Sequence, residues 1–234
     1  MRFSPPLTEA TLVRRYKRFF ADVQFADGSF ATAHIANPGA MLGLNTPGLR
    51  VWVEKVVSKT RKLPWSLEIV EQDGALVGVN ASRPNNLVAE ALALGGIAEF
   101  AGYDVIRREV RYGTNSRIDF LLAGAGKPDA YVEVKNVHFS RAKGRAEFPD
   151  SVTERGAKHL RELAAMKAAG HRAAMLYLVQ RDDTAAMSIS RDLDPAYGAA
   201  FDDARRAGVE MLAYQCRLSV EEIAVTTPLP VLLV

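Results

Sequence analysis

The chain has one cysteine, Cys216, in 234 residues. That excludes an internal disulfide and fits a reducing compartment. Cys216 lies in an apolar stretch, so a buried structural thiol is expected there rather than a nucleophile. No Cys/His pairs stand at zinc-ligand spacing, which removes the zinc-finger classes. No segment approaches 18 consecutive apolar residues, and the N-terminus has no signal-peptide core. A cytoplasmic protein with no membrane partner is expected. Repeats, low-complexity tracts and long linkers are also missing. A one-sided charge is missing too, since the net charge is only +3. The hydrophobic content of 48% is ordinary for a globular chain and allows a sizeable core.

The distribution of charge says more than its sum. Residues 1–85 carry 11 Lys/Arg against 7 Asp/Glu; the remaining residues carry 19 against 20. Arg14, Arg15, Lys17 and Arg18 interleave with Tyr16, Phe19 and Phe20. Lys55, Lys59, Arg61 and Lys62 lie between Trp52 and Trp65. Cations that bind phosphates and aromatic faces that stack on bases suit nucleic acid. The alternative is that the aromatics are core and the cations solvated, and for the two tryptophans this is the favoured reading.

The first part reads as all-β. Phe19, Ala21, Val23 and Phe25 alternate, Asp27-Gly28 signals a hairpin turn, and Phe30 to Ile35 returns. Val51 to Val57 and Leu67 to Val70 are further strands. Four or five short strands in about 80 residues fit a small barrel of the OB type. Arg83-Pro84-Asn85-Asn86 marks a boundary, giving an OB-like nucleic-acid-binding domain over 1–83 and an α/β domain over 84–234.

In the second part, spacing predicts a helix from Asn86 to Phe100, with Asn85 or Asn86 as N-cap. Asp104 to Tyr112 alternates as a strand with Arg107, Glu109 and Arg111 on one face. Strands follow around Ile118–Leu122 and over Tyr131–Val137. A helix from about Val152 to Ala169 is capped by Asp150 or Ser151 and ended by Gly170. Arg172–Val179 is a buried strand. A last helix after Pro195 ends at Gly208, and Val209–Cys216 is the last strand. Consecutive strands followed by alternation imply a mixed sheet flanked by helices.

The most chemically suggestive residues are Asp119 on one strand and Glu133 and Lys135 on the next. Residues i and i+2 of a strand share a face, so Glu133 and Lys135 point the same way. If the strands pair, Asp119 sits beside Glu133. Two carboxylates and the Val134 carbonyl can offer oxygen to Mg²⁺ or Mn²⁺, hard cations that keep several waters. Such a metal acidifies water and neutralises phosphate charge, and Lys135 can orient that water or stabilise developing charge. The plain alternative is a salt-bridged, solvated sheet edge.

Around this trio, Ser116-Arg117-Ile118-Asp119-Phe120, Tyr131-Val132-Glu133-Val134-Lys135-Asn136, Phe148-Pro149-Asp150, Arg155-Gly156-x-Lys158-His159-Leu160-x-Glu162-Leu163, Leu178-Val179-Gln180-Arg181 and Asn37-Pro38-Gly39-x-Met41 resemble the sugar fermentation stimulation protein A (SfsA) family. The order of elements resembles the PD-(D/E)xK nuclease superfamily, although Ile118 stands where that superfamily has Pro. The resemblance implies a DNA-binding protein with an OB-like N-terminal domain and a nuclease-like C-terminal domain. It also implies a helix Glu at the metal site. Glu90 is the candidate, with Glu99 and Glu109 as rivals. Arg155, Lys158 and His159 are candidate phosphate contacts. So are Arg141 and Lys143, in a stretch expected to be a basic loop. Two readings stand at this point. One is a Mg²⁺-dependent nuclease favouring DNA over RNA; the other is a non-enzymatic DNA-binding regulator of sugar-metabolism genes on a nuclease-like scaffold.

Overall fold

The protein is described by a computed structural model over residues 1–57 and 61–234. Lys59 lies outside the described residues. Six strands, β1 (Thr8–Tyr16), β2 (Phe20–Gln24), β3 (Phe30–His34), β4 (Arg50–Lys55), β5 (Trp65–Gln72) and β6 (Ala75–Gly78), form the first sheet in the order β3-β2-β1-β4-β5-β6. Parallel pairs Ala33–Trp65 and His34–Ser66 join β3 to β5 and close a five-stranded OB barrel. Its inside is apolar because Ala10, Leu12, Ala21, Val23, Val51 and Val53 alternate inward. Five strands in the barrel match the four or five expected, but β1 and β6 were not placed from the sequence. The inward Ala10 and Leu12 of β1 are followed by the charged Arg14–Lys17 run, which hid the alternation.

Past the barrel, α1 spans Pro84–Ala93, shorter than the helix expected over 86–100. Gly95, at φ +70°, stops it with a left-handed residue, and Ala98–Phe100 is only a short 3₁₀ turn. Pro84 opens the helix, and neither asparagine caps it. The remaining elements are β7 (Val105–Tyr112), β8 (Ser116–Ala123), β9 (Ala130–Val137), β10 (Phe139–Ala142), β11 (Gly144–Phe148), α2 (Glu154–Ala168), β12 (Arg172–Val179), β13 (Thr184–Ile189), α3 (Pro195–Arg206), β14 (Glu210–Leu218), β15 (Ile223–Leu229) and β16 (Val231–Leu232). The central mixed sheet runs β15-β14-β12-β9-β8-β7, and a smaller one runs β10-β11-β13-β16. β12 is parallel to both β9 and β14, through crossovers that carry α2 and α3. α2 and α3 pack one face of the central sheet; α1 packs the other.

Several expectations need correction. The stretch expected as a basic loop is the β10–β11 hairpin, and β14 is followed by two further strands. Thr153, not Asp150 or Ser151, caps α2, with its Oγ1 accepting from the Gly156 N–H at 3.1 Å. Asp150 has another task, described below. Arg107 and Arg111 do not share a face. Ile106 packs with the core of Phe120 and Leu122, whereas Val110 and Tyr112 pack with that of Ile118 and Leu121. Residues four apart on a regular strand share a face. The alternation therefore reverses between them, at Glu109, which has φ +55° and stands opposite Asp119. Among the described residues, no helix is long and apolar enough to cross a membrane.

Candidate active site

The site lies in a fork between two strands. β8 and β9 pair as Phe120–Val132, Leu121–Tyr131 and Leu122–Ala130, and the pairing stops there. Beyond it the strands part, and Asp119 fills the gap. Its Oδ2 accepts from the Val134 N–H at 2.7 Å, taking the place of a ladder bond, and its Oδ1 accepts from the Asn85 amide at 2.7 Å. Asn85, expected only as a cap, thus reaches from the start of α1 into the site.

Glu133 is buried, with 3% of its surface exposed. Its Oε1 accepts from the Lys135 ammonium at 2.6 Å and pairs with His159 Nδ1. The Arg155 Nε–H, which can only donate, points at His159 Nε2 at 3.3 Å. Nε2 therefore accepts, and the imidazole proton sits on Nδ1, facing Glu133. Lys135 Nζ lies 3.1 Å from that Nδ1, so two donors converge on one oxygen. The other oxygen, Glu133 Oε2, is buried and has no hydrogen-bond partner. Burial opposes ionisation of Glu133, but the Lys135 charge and the His159 N–H outweigh it and hold its pKa below the usual carboxylate value. Asp119 goes the other way. Burial and then the Glu133 charge push it up to about 6, against the Val134 and Asn85 hydrogen bonds.

Asp119, Glu133, Lys135, His159 and Arg155 are thus brought together. His159 is buried within the cluster, although its helix neighbours Lys158, Arg161 and Glu162 gave it the look of a surface residue. Glu90 is not part of it. Its Oε2 lies 2.6 Å from the Met1 amino group, and the residue is largely exposed, so the expected helix carboxylate is corrected. Spacing placed Glu90 on the right helix but could not show which way it turned. Among the described residues, no three His, Cys, Asp or Glu side chains converge as a complete metal cage.

The expected phosphate contacts divide. Arg15 is a correction: its guanidinium donates to the carbonyls of Arg18, Asn37, Gly39 and Ala40 at 2.8–3.1 Å, which is structural work. Arg141 is another, since Glu147 and Asp192 both hold it. Arg14 pairs with Asp22 over the Tyr16 ring but stays exposed. Lys17 and Arg18 are exposed at the β1–β2 turn, both with positive φ, and line a cavity of about 430 Å³. Arg61 and Lys62 border another of about 550 Å³, together with Phe20 and His34. Lys143 is exposed at the β10–β11 turn. Lys158 donates to the Thr114 carbonyl at 2.9 Å. Trp52 is buried and Trp65 packs at a tilt against Phe25, with ring centroids 5.0 Å apart, so both tryptophans belong to packing.

His138 ties the sheet domain to the barrel. Its Nε2 lies 3.2 Å from Asp150 Oδ2, the oxygen that also accepts the Met41 N–H of the barrel. The Phe148-Pro149-Asp150 and Asn37-Pro38-Gly39 motifs were the signal, and they meet here.

A five-stranded OB barrel followed by a mixed α/β sheet domain, with Asp and Glu-x-Lys at a strand fork, defines a two-part protein of barrel and helix-flanked sheet. Residues 13–79 match the family described as the SfsA N-terminal OB domain. Residues 82–222 match the family described as the sugar fermentation stimulation protein RE domain. The chain belongs to the sugar fermentation stimulation (SfsA) family. A sugar fermentation stimulation protein homologue of Azorhizobium caulinodans is 58% identical over 236 residues, covering 99% of this chain and all of the relative. That of Paramagnetospirillum magneticum is 55% identical over 229 residues, covering 98% and 97%. The solved structure of Pyrococcus furiosus SfsA in complex with Ca²⁺ superposes with a TM-score of 0.89 at 25% identity, covering 99% of this chain and 98% of that one. The resemblance read from the sequence holds across the chain.

Proposed function

We propose that this chain is a metal-dependent nuclease that cleaves phosphodiester bonds in DNA in the cytoplasm. The reading is carried by the buried, unpartnered Glu133 Oε2 beside Asp119 in the strand fork. A buried carboxylate oxygen with no partner costs free energy, and a divalent cation would remove that cost. Two carboxylates without a full cage suit Mg²⁺ or Mn²⁺, which keep several waters. The Ca²⁺ in the Pyrococcus furiosus relative is a cation of the same oxygen-seeking class.

Asp119 and Glu133 would hold the metal. When bound, it supplies Lewis acidity toward a phosphate oxygen and an acidified water. The chain's own groups do the rest. His159, fixed as the Nδ1–H tautomer by Arg155, keeps Glu133 oriented and ionised. Lys135 places its ammonium on that carboxylate, and transferring one of its N–H donors to a phosphate oxygen stabilises charge as it develops. The cations at the barrel turns hold the strand by phosphate contacts.

Pure protein should cleave single- or double-stranded DNA only with Mg²⁺ or Mn²⁺, with weaker action on RNA. Glu133→Gln should abolish the cut while leaving metal-free binding intact or improved. A Glu133→Gln protein that cleaves like the parent would place the activity elsewhere. One observation favours the non-enzymatic regulator as a second reading: Lys135 and His159 already satisfy Glu133 Oε1 without any metal. Calorimetry showing no Mg²⁺ or Mn²⁺ binding, with DNA present, decides for it.

A further inference from the structure

Many of the chain's arginines are engaged with carboxylates. Arg14, Arg50, Arg83, Arg141, Arg172 and Arg191 each hold at least one. Arg111 and Arg117 differ. Both are exposed, and among the described residues neither has an ion-pair or hydrogen-bond partner for its guanidinium. Moreover they stand directly opposite each other across the β7–β8 ladder. Like charges in that position destabilise a strand pair, and among the described residues no carboxylate is ion-paired with either.

Their placement is set by the reversal at Glu109. Because Val110, Tyr112 and Ile118 turn toward α2, Arg111 and Arg117 turn to the α1 side of the sheet. Arg108 lies on that side as well, with its guanidinium over Phe120 and donating to Asn86 at the start of α1. Arg117 is two residues from Asp119, about 7 Å along the strand. A cavity of about 500 Å³ is bounded by Arg111, Arg117 and the Gly113–Ser116 turn between them. β7 is the edge of its sheet, so the groove is open to a long ligand.

We propose that Arg111 and Arg117 form a phosphate-binding groove that holds the nucleic-acid backbone beside the scissile bond. The inference rests on the nuclease reading and adds a second grip, on the catalytic sheet itself. Guanidinium forks match phosphate oxygens two at a time. Two unneutralised cations that repel in the free protein become favourable when a polyanion lies across them.

The test uses the full chain carrying Glu133→Gln, so that cleavage does not interfere, and a fluorescent DNA duplex in a salt series without metal. Each phosphate contact contributes about 0.9 to the slope of log affinity against log salt. Arg111→Ala with Arg117→Ala should weaken binding at least tenfold at low salt and reduce the slope by about 1.8. Arg205→Ala with Arg206→Ala, on α3, removes the same charge and should keep the parent slope. Arg111→Lys with Arg117→Lys should keep the slope and lose part of the affinity; this pair also covers the case in which the alanine variant fails to fold. An alanine variant that is folded by thermal melting and retains the parent slope overturns the groove alone. Absence of binding by the parent overturns both the groove and the nucleic-acid reading.

Discussion

At the scale of the residue, Asp119 and Glu133 show how one fork gives two carboxylates opposite characters. Glu133 sits under two donors and stays ionised; Asp119 has only neutral donors and a charged neighbour, and is pushed up to about 6. A carboxyl raised above its ordinary 3.8 favours the fold below that value and loses this contribution as pH rises through about 6. Asp119→Asn should therefore stabilise the metal-free protein above pH 6 by about 1–3 kcal/mol and have little effect below the ordinary carboxylate value. Thermal melts in chelator at two pH values check it. The same substitution should abolish cleavage, and Mg²⁺ affinity of the parent should fall as pH drops through about 6, because protons compete for Asp119. The trio was legible because strand parity is rigid: i and i+2 share a face whatever the tertiary context. His159 and Asn85 were not, because a helix position tells which turn a side chain occupies and not which neighbour it meets.

At the scale of the element, the Asn37–Met41 loop shows why a short motif can be strict. Asn37 donates to the Val79 carbonyl and accepts the Gly39 N–H, while Arg15 gathers three of the loop's carbonyls. A Cβ on Gly39 would stand 2.6 Å from Asp150 Oδ1, the carboxylate that holds His138 and the Met41 N–H. Asp150 is short and cannot move aside without dropping those partners. Gly39→Ala should cost about 1–3 kcal/mol, the range for forced overpacking, read as a lower melting temperature; an unchanged melt would show that the carboxylate gives way freely. Elements such as β9, β12 and α3 were readable from local signals: β-branched residues in β9, a continuous apolar run in β12, and Pro195 and Gly208 around α3. β1, β10, β11 and β13 were not. They are short or charge-interrupted, and their pairing partners lie elsewhere in the chain, so local pattern carries little of what stabilises them.

At the scale of the whole molecule, the barrel and the α/β part do not have wholly independent cores. Trp52 and Ile69, on the barrel's outer side, belong to the same apolar cluster as Phe3, Leu87, Val88, Phe120 and Leu176. Backbone joins them as well, since the Gly78 N–H donates to the Gln180 carbonyl at 2.8 Å and Val77 bridges Arg181. Calorimetry should show one cooperative unfolding transition for the full chain; two resolved peaks would contradict the shared core. Composition shifts at Arg83-Pro84 reveal where the chain changes architecture, yet burial across that point is a three-dimensional property with no local trace. Trp52 is the telling case. Its core placement was the favoured reading, but only the structure shows what it packs against: it is the apolar peg on which the α/β part rests. That peg bears on engineering. A barrel transplanted from a distant relative without matching Trp52 and Ile69 would leave Leu87 and Val88 facing water. Chimaeras cut at residue 83 should be insoluble unless both sides of the seam come from one parent.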